Sequence, residues 1–133
     1  MDFQPLDKKL DFDGPDKIAV GELETFSYEH AGQRETVEIT VHEFTSVCPY
    51  SGLPDFGRIL IKYVPDRTCI ELRSLKYYLL SYRNVGIFYE HLVPRMLNDL
   101  VACCQPREME VRGEFTVRGG LQSTISAKFP QQS

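Results

Sequence analysis

The middle of the chain alternates hydrophobic and polar residues with a period of two. From Glu35 to Phe44 the sequence ETVEITVHEF sets polar residues against Val37, Ile39 and Val41. This alternation predicts a half-buried strand. After a loop, GRILIKYV predicts a second strand, VPDRT a turn, and CIEL a third short strand.

The following segment, SLKYYLLSYRNVGIFYEHLVPRMLNDLVACCQP, changes to the helical period. Its hydrophobic residues recur three and four positions apart, first at Leu75, Tyr78, Leu79 and Tyr82, then at Leu92, Met96, Leu97, Leu100 and Val101. The pattern predicts two consecutive amphipathic helices with a break around Asn84 to Gly86. Pro94 must lie in the first turn of the second helix or kink it, because proline has no backbone N–H.

Beyond Pro106 the period of two returns in EMEVRGEFTVRGGLQSTISAKF, which predicts a hairpin with Gly119 and Gly120 at its turn. Residues 1–34 show no sustained period, and we expect an extended N-terminal arm followed by a single domain over residues 35–133. The order of elements predicts an α+β fold, in which two helices cover one face of an antiparallel sheet. The open sheet edges favour assembly of several subunits, with a site between them.

Composition adds limits on the partners. The chain has 133 residues, 42% hydrophobic and 26% charged, as expected for one soluble domain. Its 15 basic and 19 acidic residues give a net charge of −4, so we expect no direct nucleic-acid partner. No apolar run reaches the roughly 20 residues of a membrane span, and the N-terminus does not resemble a signal peptide. We therefore expect a cytoplasmic protein with no membrane partner.

A cytoplasmic location also bears on the four cysteines, Cys48, Cys69, Cys103 and Cys104. They are expected to be reduced thiols, because the cytoplasm disfavours disulfides. No CxxC pair occurs among them, which argues against a four-thiolate zinc site. Cys69, Cys103 and Cys104 are interpreted as packing residues.

Cys48 is different because it lies in FTSVCPYSGLPDFG, a loop between two predicted strands. A nucleophilic cysteine needs access and a local group that lowers the pKa of its thiol. A free cysteine is more often a small hydrophobe, and that alternative stays open. Asp55 shares the loop and is a candidate for proton transfer, although a turn residue after Pro54 is an equal alternative.

Glu90, within FYEH, lies either on the solvated rim of a helix or inside a binding site. An inward carboxylate would accept the adjacent ring N–H and amino group of a guanine-like base. Arg73 and Lys76 are three residues apart and share a helix face, where they would suit phosphate groups. A solvated surface is the simpler role for these cations. No GxGxxG follows a strand, which argues against a Rossmann cofactor site.

Two stretches, EFTSVCPYSGLPDFG and ELRSLKYYLLSYRN, together resemble the QueF family of nitrile reductases. The resemblance runs from about Leu23 to Gly120 and is closest to the unimodular branch. It implies reduction of 7-cyano-7-deazaguanine to 7-aminomethyl-7-deazaguanine in queuosine biosynthesis, a tRNA modification pathway. NADPH would be the co-substrate, with no metal required. It also implies a tunnelling fold, in which sheets of several subunits close into a barrel, and a decamer of two stacked pentamers.

The resemblance also implies roles for individual residues. Cys48 aligns with the nucleophile that forms a covalent thioimide, and Asp55 with the proton donor. The substrate-binding glutamate aligns with Glu90, and the other substrate-contact positions with Ile70, Glu71 and Leu72. Tyr89 stands where the family often has histidine, and its hydroxyl can hydrogen-bond the substrate. The residues implied as neighbours of the NADPH phosphates are Arg73, which stands where lysine is usual, Lys76 and Arg118.

Two alternatives remain open at the level of sequence. One is a zinc-dependent cyclohydrolase of the same fold, whose ligands would come from the thiols and from His30, His42 and His91. The other is a non-catalytic deazapurine-binding subunit, which would give Cys48 no task.

Overall fold

A four-stranded antiparallel sheet forms the body of the molecule, in a computed structural model that describes residues 10–131. Its strands, in their spatial order, are β2 (Val37–Val47), β3 (Pro54–Val64), β5 (Glu108–Phe115) and β6 (Thr124–Phe129). A separate two-stranded sheet pairs β1 (Thr25–Ser27) with β4 (Thr68–Ile70). The α+β prediction is therefore confirmed, and the short CIEL strand pairs with the arm.

The prediction that Asp55 lies in the loop is wrong, because β3 begins at Pro54 and includes it. β2 also runs three residues beyond its predicted end at Phe44. The loop between these strands is therefore shorter than the sequence pattern indicated. The first nine residues of the predicted arm lie outside the described residues. The rest contains β1 and two single-turn 3₁₀ helices, Pro15–Lys17 and Val20–Glu22.

Two helices follow one another as predicted, α1 (Leu72–Leu80) and α2 (Tyr89–Cys104). The carboxylate of Glu71 caps α1 by accepting hydrogen bonds from the N–H groups of Arg73, at 2.7 Å, and Ser74, at 2.9 Å. Pro94 lies in the second turn of α2, which excludes the first of the two predicted alternatives, a position in the first turn. Since proline has no N–H, the carbonyl of Glu90 receives no helical hydrogen bond from it.

The core lies between the helices and one face of the main sheet. The sheet contributes buried residues at every second position, and the helices contribute residues at helical spacing: Ile59, Ile61, Tyr63, Val111 and Phe115 against Leu75, Tyr78, Leu92, Met96 and Leu100. Each such aliphatic or aromatic side chain stabilises the fold by about 1.5–3 kcal/mol. Among residues 10–131, no helix is long and apolar enough to cross a membrane.

A hydrogen-bond network joins α1 to α2 within this core. The buried hydroxyl of Tyr78 donates to the carboxylate of Asp99 at 2.7 Å and lies 2.8 Å from the hydroxyl of Tyr82. Arg95 donates to the same carboxylate at 2.9 Å. The network fixes the position of α2 relative to α1. It thereby also fixes where the first residues of α2 lie over the sheet.

A β-bulge interrupts β2. Val41 is opposite Ile59, but the next pair is Phe44 with Gly57, so two residues of β2 face one of β3. The extra residue reverses which side chains face the helices. Odd-numbered residues point inward before the bulge and even-numbered ones after it. Ser46 consequently faces the helices and is directly opposite Asp55.

Candidate active site

A tight turn holds Cys48 at the end of β2. The N–H of Cys48 donates to the carbonyl of Leu53 at 2.9 Å, and the N–H of Gly52 donates to the carbonyl of Cys48 at 2.9 Å. Gly52 has a φ of 74°, which glycine adopts without strain. The thiol is thus on a defined turn and half-buried, as access to a small ligand requires.

The electrostatics of this turn favour the thiolate of Cys48. Burial raises the pKa of the thiol and hydrogen bonds from the backbone N–H groups of Ser51 and Tyr50 lower it, and with all contributions the net pKa is lowered. The Ser51 hydroxyl and the Arg118 guanidinium lower the pKa further. A thiolate is the nucleophilic form of cysteine.

The other three cysteines have the opposite tendency. Burial raises the pKa of the Cys69 and Cys103 thiols, and it raises the pKa of Cys104 to about 12. Cys69 and Cys104 are buried and Cys103 is half-buried, which agrees with packing roles. Cys48 is therefore the thiol whose surroundings suit nucleophilic chemistry.

Asp55 is nearly buried beside this turn and is paired with Arg118. The Arg118 Nη1 donates to Oδ1 of Asp55 at 2.5 Å. Arg118 reaches the site from a two-residue turn at Gly119 and Gly120, whose φ angles of 55° and 78° are both positive. Arg118 and Leu121 exchange two backbone hydrogen bonds of 2.8 Å across it. The predicted glycine turn is confirmed.

Tyr89, the first residue of α2, lies over the same end of the sheet. Its ring stacks on Phe115 with a centroid distance of 3.7 Å and an angle of 7°. Gly57 and Gly113 make room for Phe115, because a Cβ on either would lie within 2.9 Å of the Phe115 ring. Burial and the Asp55 carboxylate raise the pKa of the Tyr89 hydroxyl. That hydroxyl is buried, and no residue between 10 and 131 hydrogen-bonds it.

Glu90 is exposed in the first turn of α2, where the helix dipole favours a negative charge. Within the described part of the chain, its carboxylate has neither a salt bridge nor a side-chain hydrogen bond. Aromatic contacts join this helix start to the Cys48 turn. Tyr50 lies edge-to-face on Phe88, with centroids 5.6 Å apart, and Phe88 contacts His91 at 5.9 Å.

The remaining residues expected at the substrate are not all equally accessible. Ile70 is in the core, and its N–H donates to the Tyr63 hydroxyl at 3.0 Å. The capping hydrogen bonds from Arg73 and Ser74 lower the pKa of Glu71, whose carboxylate is therefore already engaged. Leu72 is 59% exposed and offers an apolar surface.

A groove with a volume of about 1020 Å³ runs between α1 and the edge of the sheet. Leu72, Leu79 and Leu80 give it an apolar wall, and its cations are Arg58, Lys76 and Arg83. Phe115 and Thr45 also line it, so it adjoins the site without including Cys48, Asp55 or Glu90. Of the residues expected at phosphates, only Lys76 lies in this groove. Arg73 is on the surface with an 80% exposed side chain, and Arg118 is at Asp55.

The N-terminal arm braces the Cys48 turn from outside. The N–H of Leu10 donates to the carbonyl of Ser51 at 2.8 Å, and a Cβ on Gly52 would lie 2.5 Å from the Leu10 carbonyl oxygen. Further along, Asp13 pairs with Val85 as a short parallel bridge, and Gly86 pairs with Val47 in the same way. The arm, this bridging segment and the end of β2 thus lie side by side.

Comparison with known proteins identifies the family. A family model described as QueF-like protein matches residues 54–133, more than half of the chain. This chain belongs to the QueF family. Two relatives, both named NADPH-dependent 7-cyano-7-deazaguanine reductase, extend the similarity across the Cys48 turn. The protein from Chlorobaculum tepidum is 52% identical over 107 residues, covering 80% of this chain and 92% of that protein.

The second relative, from Thermoanaerobacter pseudethanolicus, is 46% identical over 126 residues and covers 95% of both chains. Among solved structures, the apo form of the archaeosine synthase QueF-Like superposes with a TM-score of 0.67. It is 23% identical, and the match covers 72% of this chain and 94% of that one. This likeness confirms the fold of the QueF family for the chain.

Sequence inspection missed three features of the site. Ser46 has no distinguishing local pattern, and its position depends on the bulge in β2. The contact between Arg118 and Asp55 spans 63 residues, beyond any local signal. The inward position of Phe115 follows from the alternation in β5, but its stacking on Tyr89 does not. In residues 10–131, no three side chains of His, Cys, Asp or Glu converge as a metal site would require.

Proposed function

We propose that this protein is an NADPH-dependent nitrile reductase, which converts 7-cyano-7-deazaguanine to 7-aminomethyl-7-deazaguanine in queuosine biosynthesis. About half of its aligned residues are identical to those of reductases with this name. The observation that carries the chemistry is the position of Cys48 on a tight turn next to the Asp55–Arg118 pair, and these surroundings lower the pKa of its thiol. A nitrile accepts a hydride poorly, and covalent addition of a thiol makes its carbon more reactive.

In the first step the thiolate of Cys48 adds to the nitrile carbon. The new S–C bond replaces one π bond of the nitrile, and that electron pair moves to nitrogen. The proton released by the thiol passes to Asp55 and from there to the nitrogen, so that S–H adds across C≡N. Arg118 supports both ends of this transfer, since it stabilises the thiolate and donates to the carboxylate.

The cofactor chemistry is a hydride delivered to carbon in each of two reductions, so two NADPH are consumed per product. Cys48 leaves as a thiolate after the first, which restores the free thiol and gives an imine for the second. The groove beside α1 suits a dinucleotide, because it combines cations with an apolar wall. Lys76 is its phosphate neighbour in this proposal. Arg73 and Arg118 remain as the further phosphate contacts that the family resemblance implies.

Substrate recognition falls to the start of α2. The carboxylate of Glu90 accepts the ring N–H and amino group of the deazaguanine, a match of two acceptors to two donors. The hydroxyl of Tyr89, which no residue between 10 and 131 hydrogen-bonds, hydrogen-bonds the substrate next to Asp55. At the other contact positions, Leu72 acts through its exposed side chain, and Ile70 and Glu71 remain as the further substrate contacts that the family resemblance implies.

The active enzyme is a homo-oligomer in this proposal, with sheets of several subunits closing into a barrel and sites between subunits. Both β2 and β6 are edge strands of the sheet, and open edges favour pairing with a second copy. Large exposed hydrophobic residues support a covered surface: Phe26, Tyr50, Phe56, Tyr77 and Leu121. Light scattering is expected to give ten times the 15.3 kDa chain mass, as two stacked pentamers require. A cytoplasmic location belongs to the same proposal.

The decisive experiment is to incubate the protein with 7-cyano-7-deazaguanine without NADPH and to measure its intact mass. The expected result is one substrate mass added per chain, which is absent in Cys48→Ala and present in the matched variant Cys103→Ala. With NADPH added, two equivalents should be oxidised per amine formed. An adduct that persists in Cys48→Ala, or no adduct at all, would overturn the nucleophile assignment.

A further inference from the structure

Two buried hydroxyl groups have no hydrogen-bond partner in the described part of the chain, those of Ser46 and Tyr89. A buried polar group without a partner is unfavourable, and such groups are rare in folded proteins. Tyr89 is already expected at the substrate by the proposed function. Ser46 has no assigned role, although its residue is only 1% exposed.

The surroundings of Ser46 are those of the candidate active site. It is two residues before Cys48 and directly opposite Asp55 in the pairing of β2 with β3. Directly opposite residues of antiparallel strands have their side chains on the same face, with Cβ atoms about 4.5–5.5 Å apart. Ser46 is therefore next to Asp55, on the face over which Tyr89 lies.

The hydroxyl of the neighbouring residue, Thr45, does have a hydrogen-bond partner within the protein. Thr45 precedes Ser46, and its Oγ1 donates to the backbone carbonyl of Asp55 at 2.8 Å. Ser46 makes no comparable bond with any residue between 10 and 131. Its hydrogen-bonding capacity is thus unused beside Asp55, in the interior of the candidate active site.

We propose that Ser46 is a further catalytic residue, whose hydroxyl donates a hydrogen bond to the substrate nitrogen as Cys48 adds to the nitrile carbon. The inference rests on the proposed function. In this step the electron pair of the broken π bond moves to nitrogen, and a donor placed there stabilises the developing charge. Ser46 keeps its proton throughout, and the proton that nitrogen gains comes from the Cys48 thiol through Asp55.

The test compares Ser46→Ala with a serine whose hydroxyl is satisfied. Ser81 Oγ accepts from the N–H of Ala19 at 2.9 Å and donates to the carbonyl of Tyr78 at 2.6 Å. For Ser46→Ala we expect adduct formation and turnover to fall by about ten- to a hundredfold, with the melting temperature unchanged or raised. For Ser81→Ala we expect the melting temperature to fall and the turnover of the folded protein to stay unchanged.

The two variants thus respond in opposite ways if Ser46 acts on the substrate. The inference is overturned if Ser46→Ala keeps the wild-type rate of adduct formation, since no interaction with nitrogen would then have been lost. It is also overturned if Ser46→Ala lowers the melting temperature as Ser81→Ala does, since the hydroxyl would then serve the fold. A wild-type protein that forms no adduct would overturn the proposed function together with this inference. An active wild type with an unaffected Ser46→Ala contradicts the inference alone.

Discussion

Arg118 and Asp55 form a salt bridge in which the arginine side chain is 49% exposed and the aspartate side chain 3% exposed. The guanidinium of Arg118 is thus partly in water, whereas the carboxylate of Asp55 is inside the site. The same guanidinium lowers the pKa of Cys48 and is close enough to Tyr89 to affect the pKa of its hydroxyl. A single side chain beside a glycine turn therefore acts on three groups from three other segments of the chain: Asp55, Cys48 and Tyr89.

Arg118→Gln is expected to move the pH dependence of Cys48 alkylation to higher pH, because one group that lowers the thiol pKa is removed. Thiolate forms as pH rises through the pKa, so the loss of rate should be largest at low pH and vanish at high pH. The free energy of unfolding should fall by about 1 kcal/mol, since a half-exposed guanidinium is screened by water. Iodoacetamide rates across pH and chemical denaturation measure the two effects.

The matched control is Arg112→Gln, which removes an arginine of β5 paired with Glu114 at 3.2 Å. Its alkylation profile should be that of the wild type. An Arg118→Gln profile that coincides with the control would contradict the role given to Arg118.

At neutral pH, a limiting amount of iodoacetamide should label Cys48 first. Its pKa is lowered, whereas burial raises the pKa of Cys69, Cys103 and Cys104. Only the thiolate reacts, so the order of labelling follows the order of the pKa values and of exposure. Peptide mass spectrometry after brief labelling measures this order. Cys103 labelled ahead of Cys48 would show that the turn does not activate its thiol.

Gly52→Ala should displace the N-terminal arm from the Cys48 turn. An added Cβ would lie 2.5 Å from the Leu10 carbonyl oxygen, and the φ of 74° is strained for alanine. We expect the free energy of unfolding to fall by about 1–3 kcal/mol, and Cys48 alkylation to move to higher pH as the Ser51 and Tyr50 N–H groups shift. Gly21→Ala is the control, because nothing lies within 4 Å of its Cβ position. Equal effects of Gly52→Ala and Gly21→Ala would contradict the role of the N-terminal arm in supporting the Cys48 turn.

Glu90→Gln should weaken substrate binding by roughly ten- to a hundredfold, because an amide turns one acceptor into a donor facing another donor. Calorimetry in a Cys48→Ala background measures affinity without adduct formation. Glu110→Gln is the control, since Glu110 pairs with Lys128 at 3.5 Å on the sheet. Unchanged affinity in Glu90→Gln would remove this residue from substrate recognition.

Local patterns predicted the parts of the fold that local physics determines. Alternation at Val37, Ile39 and Val41 indicated the first half of β2, helical spacing indicated both helices, and Gly119 and Gly120 indicated the turn. Each of these features depends on residues within a few positions of one another. The turn prediction from Gly119 and Gly120 was correct because a turn with two positive φ angles accepts few residues other than glycine.

Contacts between residues distant in the chain leave no local pattern in the sequence. Asp55 pairs with Arg118, and Leu10 with Ser51, only because the sheet and the arm bring separate segments together. Glu71 was expected at the substrate, yet its side chain is an N-cap, a role that its place before α1 indicates only once the helix start is known. The bulge has no signature, since His42 and Glu43 suit either a regular or a bulged strand.

That bulge gives β2 two phases. Odd-numbered residues face the helices in its first half and even-numbered residues in its second half, and one extra residue separates the two halves. Removing that residue would restore regular pairing between β2 and β3. Ser46 would then face away from the helices, and Val47 would face toward them. The side chains at this end of β2 that we propose at the active site would then face the opposite side of the sheet, although all of them would still be present. The proposed function thus depends on the number of residues in β2 as well as on their identity.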